Sequence, residues 1–226
     1  LGNEAGPGKN FVAAYDALKA FDATRPVQYE RNNDIVDMGS NQYPSIGWMR
    51  GAVTGKYGIK YPFHVSEYAH SMGNAVGNLI DYWEAIESTN FFCGGAIWDW
   101  VDQGLDAVGK DGRHYWGYGG DFGAWMYTHD ENFCCNGLVS PDRTPHPGLR
   151  EVKKVYQDIR FEVVDREQGR VRIYNDFLFT NLSEYAFSYE VLRDGVAVAE
   201  GVIDAVKCAA GSYVDAVSYT HLTLPT

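Results

Sequence analysis

The chain has 226 residues, with 19 Lys and Arg against 30 Asp and Glu, for a formal net charge of −11 at pH 7. That length holds one large domain or two modest ones, and a composition 45% apolar and 15% aromatic suits a packed core. An acidic balance repels phosphate backbones and anionic lipid, which argues against nucleic acid and membrane as partners.

Residues 1–8, Leu-Gly-Asn-Glu-Ala-Gly-Pro-Gly, read as the tail of a strand turning into a helix. Their glycines do not make the Gly-x-Gly-x-x-Gly of a dinucleotide loop. Phe11, Tyr15, Leu18 and Phe21 fall at helical spacing, and the helix should stop before Arg25-Pro26. Short strands are predicted at 27–30 and 34–38, followed by a polar loop at 39–43. The next strand, 63–65, loses its apolar character at Glu67, and Tyr68, His70 and Asn74 follow closely. Gly73 and Gly77 allow a tight turn before a helix whose apolar face is Leu79, Trp83 and Ile86. A further strand, 94–100, carries Trp98 and Trp100 on either side of Asp99.

Each of these strands ends in polar residues: Asn3-Glu4, Tyr29-Glu30, 41–43, Glu67 and Trp98-Asp99. In parallel α/β folds that end is where chemistry is done. Five strands in the first hundred residues favour a barrel over an open sheet. A complete eightfold barrel takes ~250 residues, so the expectation is a partial (β/α)8 TIM barrel, about its last five strands. Residues 101–150 read as loop-rich, and Thr144-Pro145-His146-Pro147 precedes a short helical stretch at 149–155.

Beyond it the period changes to two. Phe187, Tyr189 and Val191 alternate with Ser188 and Glu190, and Asp194-Gly195 separates them from Val196-Ala197-Val198, a hairpin signature. Strands at 161–164 and 171–174 complete an expected truncated immunoglobulin-like antiparallel β-sandwich. The domains are therefore drawn at 1–156 and 157–216. Residues 217–226 fit neither pattern and are set aside as an adapter-derived tail. Cys93, Cys134, Cys135 and Cys208 lack metal-ligand spacing and read as reduced thiols, in keeping with a cytoplasmic setting.

Glu4 after Asn3 and Glu67 after Ser66 form a pair of strand-end carboxylates. Cleaving a glycosidic bond with retention needs such a pair, an acid for the leaving oxygen and a nucleophile for carbon. Taken alone, Glu67 serves equally as a helix cap, and most Trp and Tyr as core. The Glu67-x-x-His70 spacing also occurs in di-iron bundles, but the second copy they need is absent.

Six co-linear segments say more: Leu1-Gly2-Asn3-Glu4, Arg25-Pro26-Val27-Gln28-Tyr29-Glu30, Ser66-Glu67-Tyr68-Ala69-His70-Ser71-Met72-Gly73-Asn74, Trp98-Asp99-Trp100-Val101-Asp102-Gln103, Tyr118-Gly119-Gly120-Asp121-Phe122-Gly123, and Asn136-Gly137-Leu138-Val139 with Arg143-Thr144-Pro145-His146-Pro147. Together they resemble glycoside hydrolase family 2, and within it the large multidomain β-galactosidases. The resemblance implies Glu4 as acid/base and Glu67 as nucleophile, with Asn3, Tyr43, His70, Trp98 and Asn136 around the sugar. It implies that Tyr43 hydrogen-bonds Glu67 and that Trp98 floors the pocket. It further implies Mg²⁺ at Glu4, with the remaining ligands outside this sequence, and Na⁺ at the Phe133 carbonyl and the Asn136 side chain. The implied substrate is a β-galactoside such as lactose, cleaved by double displacement in a homo-oligomeric parent, while residues 1–216 alone should be inactive. β-Glucuronidase, β-mannosidase and a non-catalytic carbohydrate-binding module stand as alternatives. The carboxyls of a retaining pair should lie about 5 Å apart.

Overall fold

The structure is a computed structural model that describes residues 1–6, 8–31, 34–123 and 128–217. The chain divides into two compact units, Leu1–Val155 and Tyr156–Thr226.

The first unit is built on a parallel sheet of β1 (Gly39–Gln42), β2 (Phe63–Tyr68) and β3 (Phe92–Ile97), with β2 in the centre. A central parallel strand is covered on both faces, and Phe63, Val65 and Tyr68 are fully buried. Phe63 packs on the rings of Trp48, Phe91 and Phe92. Truncating such a residue to Ala costs about 3–5 kcal/mol. Among the described residues four α-helices accompany the sheet: α1 (Lys9–Phe21), α2 (Ile46–Val53), α3 (Leu79–Glu87) and α4 (Gly148–Val155). α2 starts where the Ser45 hydroxyl accepts the Trp48 amide, and it buries Met49 and Ala52, three residues apart. α4 carries Glu151 in its first turn and Lys153 and Lys154 in its last, as the helix dipole favours, and buries Val152 and Val155.

The ladder is irregular in a way that matters for the site. Asn41 pairs with Val65, but Gln42 pairs with Glu67, so Ser66 is an extra residue on β2. Against β3, Val65 pairs with Gly95 and Tyr68 with Ile97, which leaves the same extra residue. The Ser66 hydroxyl donates to the Asn41 carbonyl at 3.1 Å, filling the gap. A compensating bulge on β3 falls at Gly94, whose φ of 108° is readily open only to glycine.

Several expectations shift. The strands expected at 27–30 and 34–38 are not ladders; the strand is β1, at residues read as polar loop. Gly-Ser-Asn-Gln has no apolar alternation, and only pairing with β2 makes it a strand. Residues 1–6 and 27–30 run beside it through single bonds, the Leu1 amine to the Gln28 carbonyl at 2.8 Å and the Gln28 side-chain Nε2 to the Ser40 hydroxyl at 2.7 Å. The described parallel sheet therefore has three strands rather than five. Glu67 lies within β2, not past its end. The region read as loop holds the hairpin β4 (Leu105–Val108) and β5 (His114–Gly117), too short and too exposed to carry a strong pattern.

The second unit is antiparallel. β6 (Ile159–Asp165), β7 (Arg170–Asn175) and β10 (Ser212–Val217) form one sheet in the order β10-β7-β6. β8 (Phe187–Arg193) and β9 (Val196–Ile203) form the expected hairpin. Its two turn residues, Asp194 (φ 49°) and Gly195 (φ 81°), are both left-handed, as a type I′ turn requires. Ile173 from β7, Phe187 from β8, and Leu182, Val206 and Cys208 from the connections pack into one core to which both pieces of sheet contribute. Tyr174 and Tyr213, cross-strand partners, form an aromatic pair 5.9 Å apart that the sequence does not announce. Val217, set aside with the tail, pairs with Arg170 as the last residue of β10. The rest of that tail, 218–226, lies outside the described residues.

Candidate active site

Parallel pairing puts Gln42, Glu67 and Ile97 at one end of the sheet, and the residues just after them, Tyr43, Tyr68 and Trp98, share that carboxyl end. The Tyr43 amide donates to the Glu67 carbonyl at 2.7 Å and the Trp98 amide to the Tyr68 carbonyl at 3.2 Å, so the strand ends are tied side by side. Glu4 joins them from the first segment. Its Oε1 accepts from Gln42 Nε2 at 2.8 Å, and its amide donates to Glu30 Oε1 at 2.7 Å, on a carboxylate that is buried. Gln42 is itself oriented by Arg31, whose guanidinium donates to Gln42 Oε1 at 3.2 Å. Glu4 and Tyr43 both adopt φ of 49°, left-handed backbone that a non-glycine residue holds only at some cost.

The Tyr43 hydroxyl is where the charges meet. Its pKa is raised well above that of an ordinary phenol, first by desolvation, then by its hydrogen bond to Glu67, and then by the negative charges of Glu67, Glu4 and Asp99. A phenolate beside three carboxylates is disfavoured, so Tyr43 stays a neutral donor to Glu67. Glu67 is thus the nearest charge acting on the Tyr43 hydroxyl, and Glu4 acts on the same group.

The rings continue outward. His70 lies 6.0 Å from Tyr43 and 5.3 Å from Phe133, centroid to centroid, and its buried Nε2 has no partner among the described residues. Phe133, Asn136 and Trp98 line a cavity of about 320 Å³ together with Gln103, Gly119, Asp130, Glu131 and Cys134. Asn136 is 2% exposed. Its Nδ2 donates to the Phe133 carbonyl at 3.0 Å, while its buried Oδ1 has no partner among the described residues. Leaving such an atom unsatisfied costs about 1–3 kcal/mol. The neighbouring Cys135 thiol is pushed up to about 11 by burial and by Cys134, and stays an inert thiol at neutral pH.

Of the residues named from the sequence, Glu4, Tyr43 and Glu67 form one cluster, and Trp98, Phe133 and Asn136 line one cavity, with His70 between Tyr43 and Phe133. Asn3 is exposed beside Glu4. Gln42, which orients Glu4, is the residue that sequence reading misses; a lone Gln in a polar stretch gives no signal. The orphaned Asn136 Oδ1 and the adjacent Phe133 carbonyl are the hard oxygen donors that Na⁺ takes. Among the described residues no three His, Cys, Asp or Glu converge on a point that could hold a metal ion, so a Mg²⁺ at Glu4 would have to draw its remaining ligands from outside this sequence.

Carboxylates gathered at the carboxyl end of a parallel sheet, beside an imidazole, a phenol and an indole, stand where α/β folds carry their functional sites. The profile "Glycosyl hydrolases family 2, TIM barrel domain" matches residues 1–161, and "Beta-galactosidase, domain 4" matches residues 171–225. The chain belongs to glycosyl hydrolase family 2. A "Beta-galactosidase" of Aeromonas hydrophila is 39% identical over 214 residues, which cover 89% of this chain and 21% of that protein. One of Priestia megaterium is 41% identical over 201 residues, covering 88% and 19%. Among solved structures, a galacturonate-bound GH2 beta-galacturonidase from Eisenbergiella tayi aligns at 17% identity and TM-score 0.41, covering 65% of this chain and 29% of that one. The chain thus spans about a fifth of the length of the curated relatives it matches. No described helix is long and apolar enough to cross a membrane.

Proposed function

We propose that this chain carries the catalytic carboxylates of a retaining β-galactosidase, Glu67 as nucleophile and Glu4 as acid/base. The observation that carries the reading is the convergence of Glu67 and Glu4 on Tyr43, from segments 63 residues apart in sequence. A Glu67 oxygen attacks the anomeric carbon while the Glu4 carboxyl gives its proton to the departing glycosidic oxygen. Glu4, now a carboxylate, then takes a proton from water, which attacks the same carbon and releases Glu67. Tyr43 donates to Glu67 throughout, which fixes the attacking oxygen. Retention calls for carboxyls about 5 Å apart; the common neighbour Tyr43, and Gln42, which holds Glu4 and is the ladder partner of Glu67, support that spacing.

Trp98 offers an apolar face to the sugar, His70 Nε2 and Asn136 Oδ1 unsatisfied polar atoms. Na⁺, held by Asn136 Oδ1 and the Phe133 carbonyl, would supply a fixed positive charge for sugar hydroxyls. The names of the curated relatives favour galactosides over uronides or mannosides. The four free cysteines fit a reducing, cytoplasmic setting. Because the chain spans about a fifth of its relatives' length, we expect it to bind sugar rather than turn it over.

A second reading, a sugar-binding module, draws on the Tyr174–Tyr213 pair, although Arg160 and Arg172 stack on those rings at 4.9 and 4.3 Å. Titrating D-galactose into the isotopically labelled chain separates the two. Shifts at His70, Trp98 and Asn136 are expected; shifts confined to Tyr174 and Tyr213 would overturn the catalytic reading. With the chain grafted into the Aeromonas hydrophila relative in place of its counterpart segment, addition of one fluorosugar mass to Glu67 by a 2-deoxy-2-fluoro-galactoside would identify the nucleophile directly.

A further inference from the structure

The peptide of Gly137 is held from every side by side chains that the mechanism above does not use. Its N–H donates to Asp102 Oδ1 at 2.7 Å. Its carbonyl accepts from Ser71 Oγ at 3.0 Å and from His146 Nδ1 at 3.0 Å. A carbonyl only accepts, so the proton of that second bond sits on Nδ1. The other ring nitrogen, Nε2, meets Asp102 Oδ2 at 3.3 Å and Ser140 Oγ at 2.8 Å. Asp102 and His146 thus grip the N–H and the carbonyl of one residue and touch each other. The backbone around them is laced shut: Asp99 N–H to Asn136 carbonyl at 2.8 Å, Leu138 N–H to Asp99 carbonyl at 3.0 Å, and Asp102 N–H to Val139 carbonyl at 2.9 Å. The fit leaves no room for a side chain at 137. A Cβ there would fall 2.1 Å from the Asp102 nitrogen and 2.6 Å from the Val139 carbonyl oxygen.

The residue immediately before this clamped peptide is Asn136, and the residue immediately before Asp99 is Trp98; both line the cavity. We infer that Asp102 and His146 are positioning residues, which lock the Gly137 peptide so that Asn136 Oδ1 is held, unsatisfied, against the Trp98 cavity as a preformed ligand for Na⁺ or a sugar hydroxyl. The inference rests on the functional reading for the identity of the ligand, but not for the clamp. An unpaired buried amide oxygen relaxes to find a partner unless its backbone is pinned. Here the pin is made of one carboxylate and one imidazole, with Ser71 as a lesser third.

The test uses the full chain, ¹⁵N-labelled, with His146→Ala, Asp102→Ala, and the conservative His146→Gln, whose amide can still donate to the Gly137 carbonyl. Three readouts are taken: the Asn136 side-chain amide signals, hydrogen exchange at the Gly137 amide, and Na⁺ affinity in a Na⁺/K⁺ exchange titration at constant ionic strength. Both Ala variants should displace the Asn136 signals and speed Gly137 exchange at least 10-fold. They should also weaken Na⁺ at least 10-fold, while His146→Gln stays within about 3-fold of the parent on each. A merely structural role would lower the melting midpoint of both His146 variants alike without separating Ala from Gln at Asn136. Unmoved Asn136 signals in folded His146→Ala, or a His146→Gln as impaired as His146→Ala, would overturn the inference. If the parent chain shows no response to Na⁺ or to D-galactose, the ligand reading fails. The Asn136 and Gly137 readouts then still decide the clamp. Should an Ala variant not fold, Ser71→Ala, which removes one donor from the same carbonyl, is expected to show the same pattern at smaller amplitude.

Discussion

Two buried asparagines, one in each unit, measure the difference between a site and a core. Asn175, fully buried, spends its whole side chain internally: Nδ2 donates to the Thr180 and Cys208 carbonyls, both at 2.9 Å, and Oδ1 accepts from the Phe177 amide at 3.1 Å. Asn136 is nearly as buried, yet its Oδ1 meets nothing among the described residues. The same contrast runs through the charges. In the second unit Arg172 pairs with Asp215 at 2.7 Å, Arg160 with Asp176, and Tyr174 with Glu162 at 2.5 Å. In the first, carboxylates of like charge gather around one phenol. Satisfied polar groups hold a fold together. Unsatisfied or crowded ones, held in place by their surroundings, are available to a ligand.

The contrast can be broken most decisively at the carboxylates. Grafted into the Aeromonas hydrophila relative in place of its counterpart segment, the chain carrying Glu4→Gln or Glu67→Gln should lose about 10²–10⁴ in turnover of an aryl galactoside. Melting of the graft should be little changed. Turnover equal to that of the unsubstituted graft would remove either residue from the mechanism.

The asparagines come next. Asn175→Ala strands the Thr180 carbonyl and the Phe177 amide, while the Cys208 carbonyl keeps the Leu182 amide, and should destabilise the second unit by about 1–3 kcal/mol per stranded group, read by urea unfolding. Asn136→Ala loses one internal bond and should destabilise far less while abolishing the cation response. Equal losses of stability at the two positions would erase the distinction between them.

Acid sharpens it further. Asp37 ties α1 to the segments before β1 by accepting from the Tyr15 hydroxyl at 2.6 Å, the Val27 amide at 2.9 Å and Lys19 at 3.1 Å. Those bonds, the Tyr15 one foremost, hold its carboxyl down at about 2 from an ordinary 3.8. A depressed folded pKa means stability that is present above about pH 4 and is lost as pH falls towards 2. Urea midpoints of the first unit between pH 5 and 2 should show that loss, and Asp37→Asn should flatten it.

The smallest expected effect is at the hairpin. Gly195→Ala places a Cβ on left-handed backbone and should cost the second unit roughly 1 kcal/mol, with no change in sugar or Na⁺ binding.

What the sequence reveals tracks where local pattern and tertiary need agree. α1, α3 and α4 are legible from apolar spacing, and β6 to β9 from alternation with Asp194-Gly195 between the last two. β1 is not, because Gly-Ser-Asn-Gln becomes a strand only through its neighbour. The site divides the same way. Glu4, Glu67 and Trp98 are visible as polar or aromatic residues at strand ends. Gln42 and the grip of Asp102 on Gly137 are not, since their partners lie 38 and 35 residues away.

The extra residue in β2 bears on how such a chain can vary over generations. Because Ser66 is inserted relative to both neighbouring strands, the side on which Glu67 emerges is uncoupled from the inward-facing rhythm of Phe63 and Val65. Point changes at these positions trade one side chain for another and leave the frame intact. A lost or gained codon between 63 and 67 rotates the acid out of the mouth while leaving an apparently sound strand behind. In this stretch, inheritance must therefore preserve length as strictly as it preserves the glutamate itself.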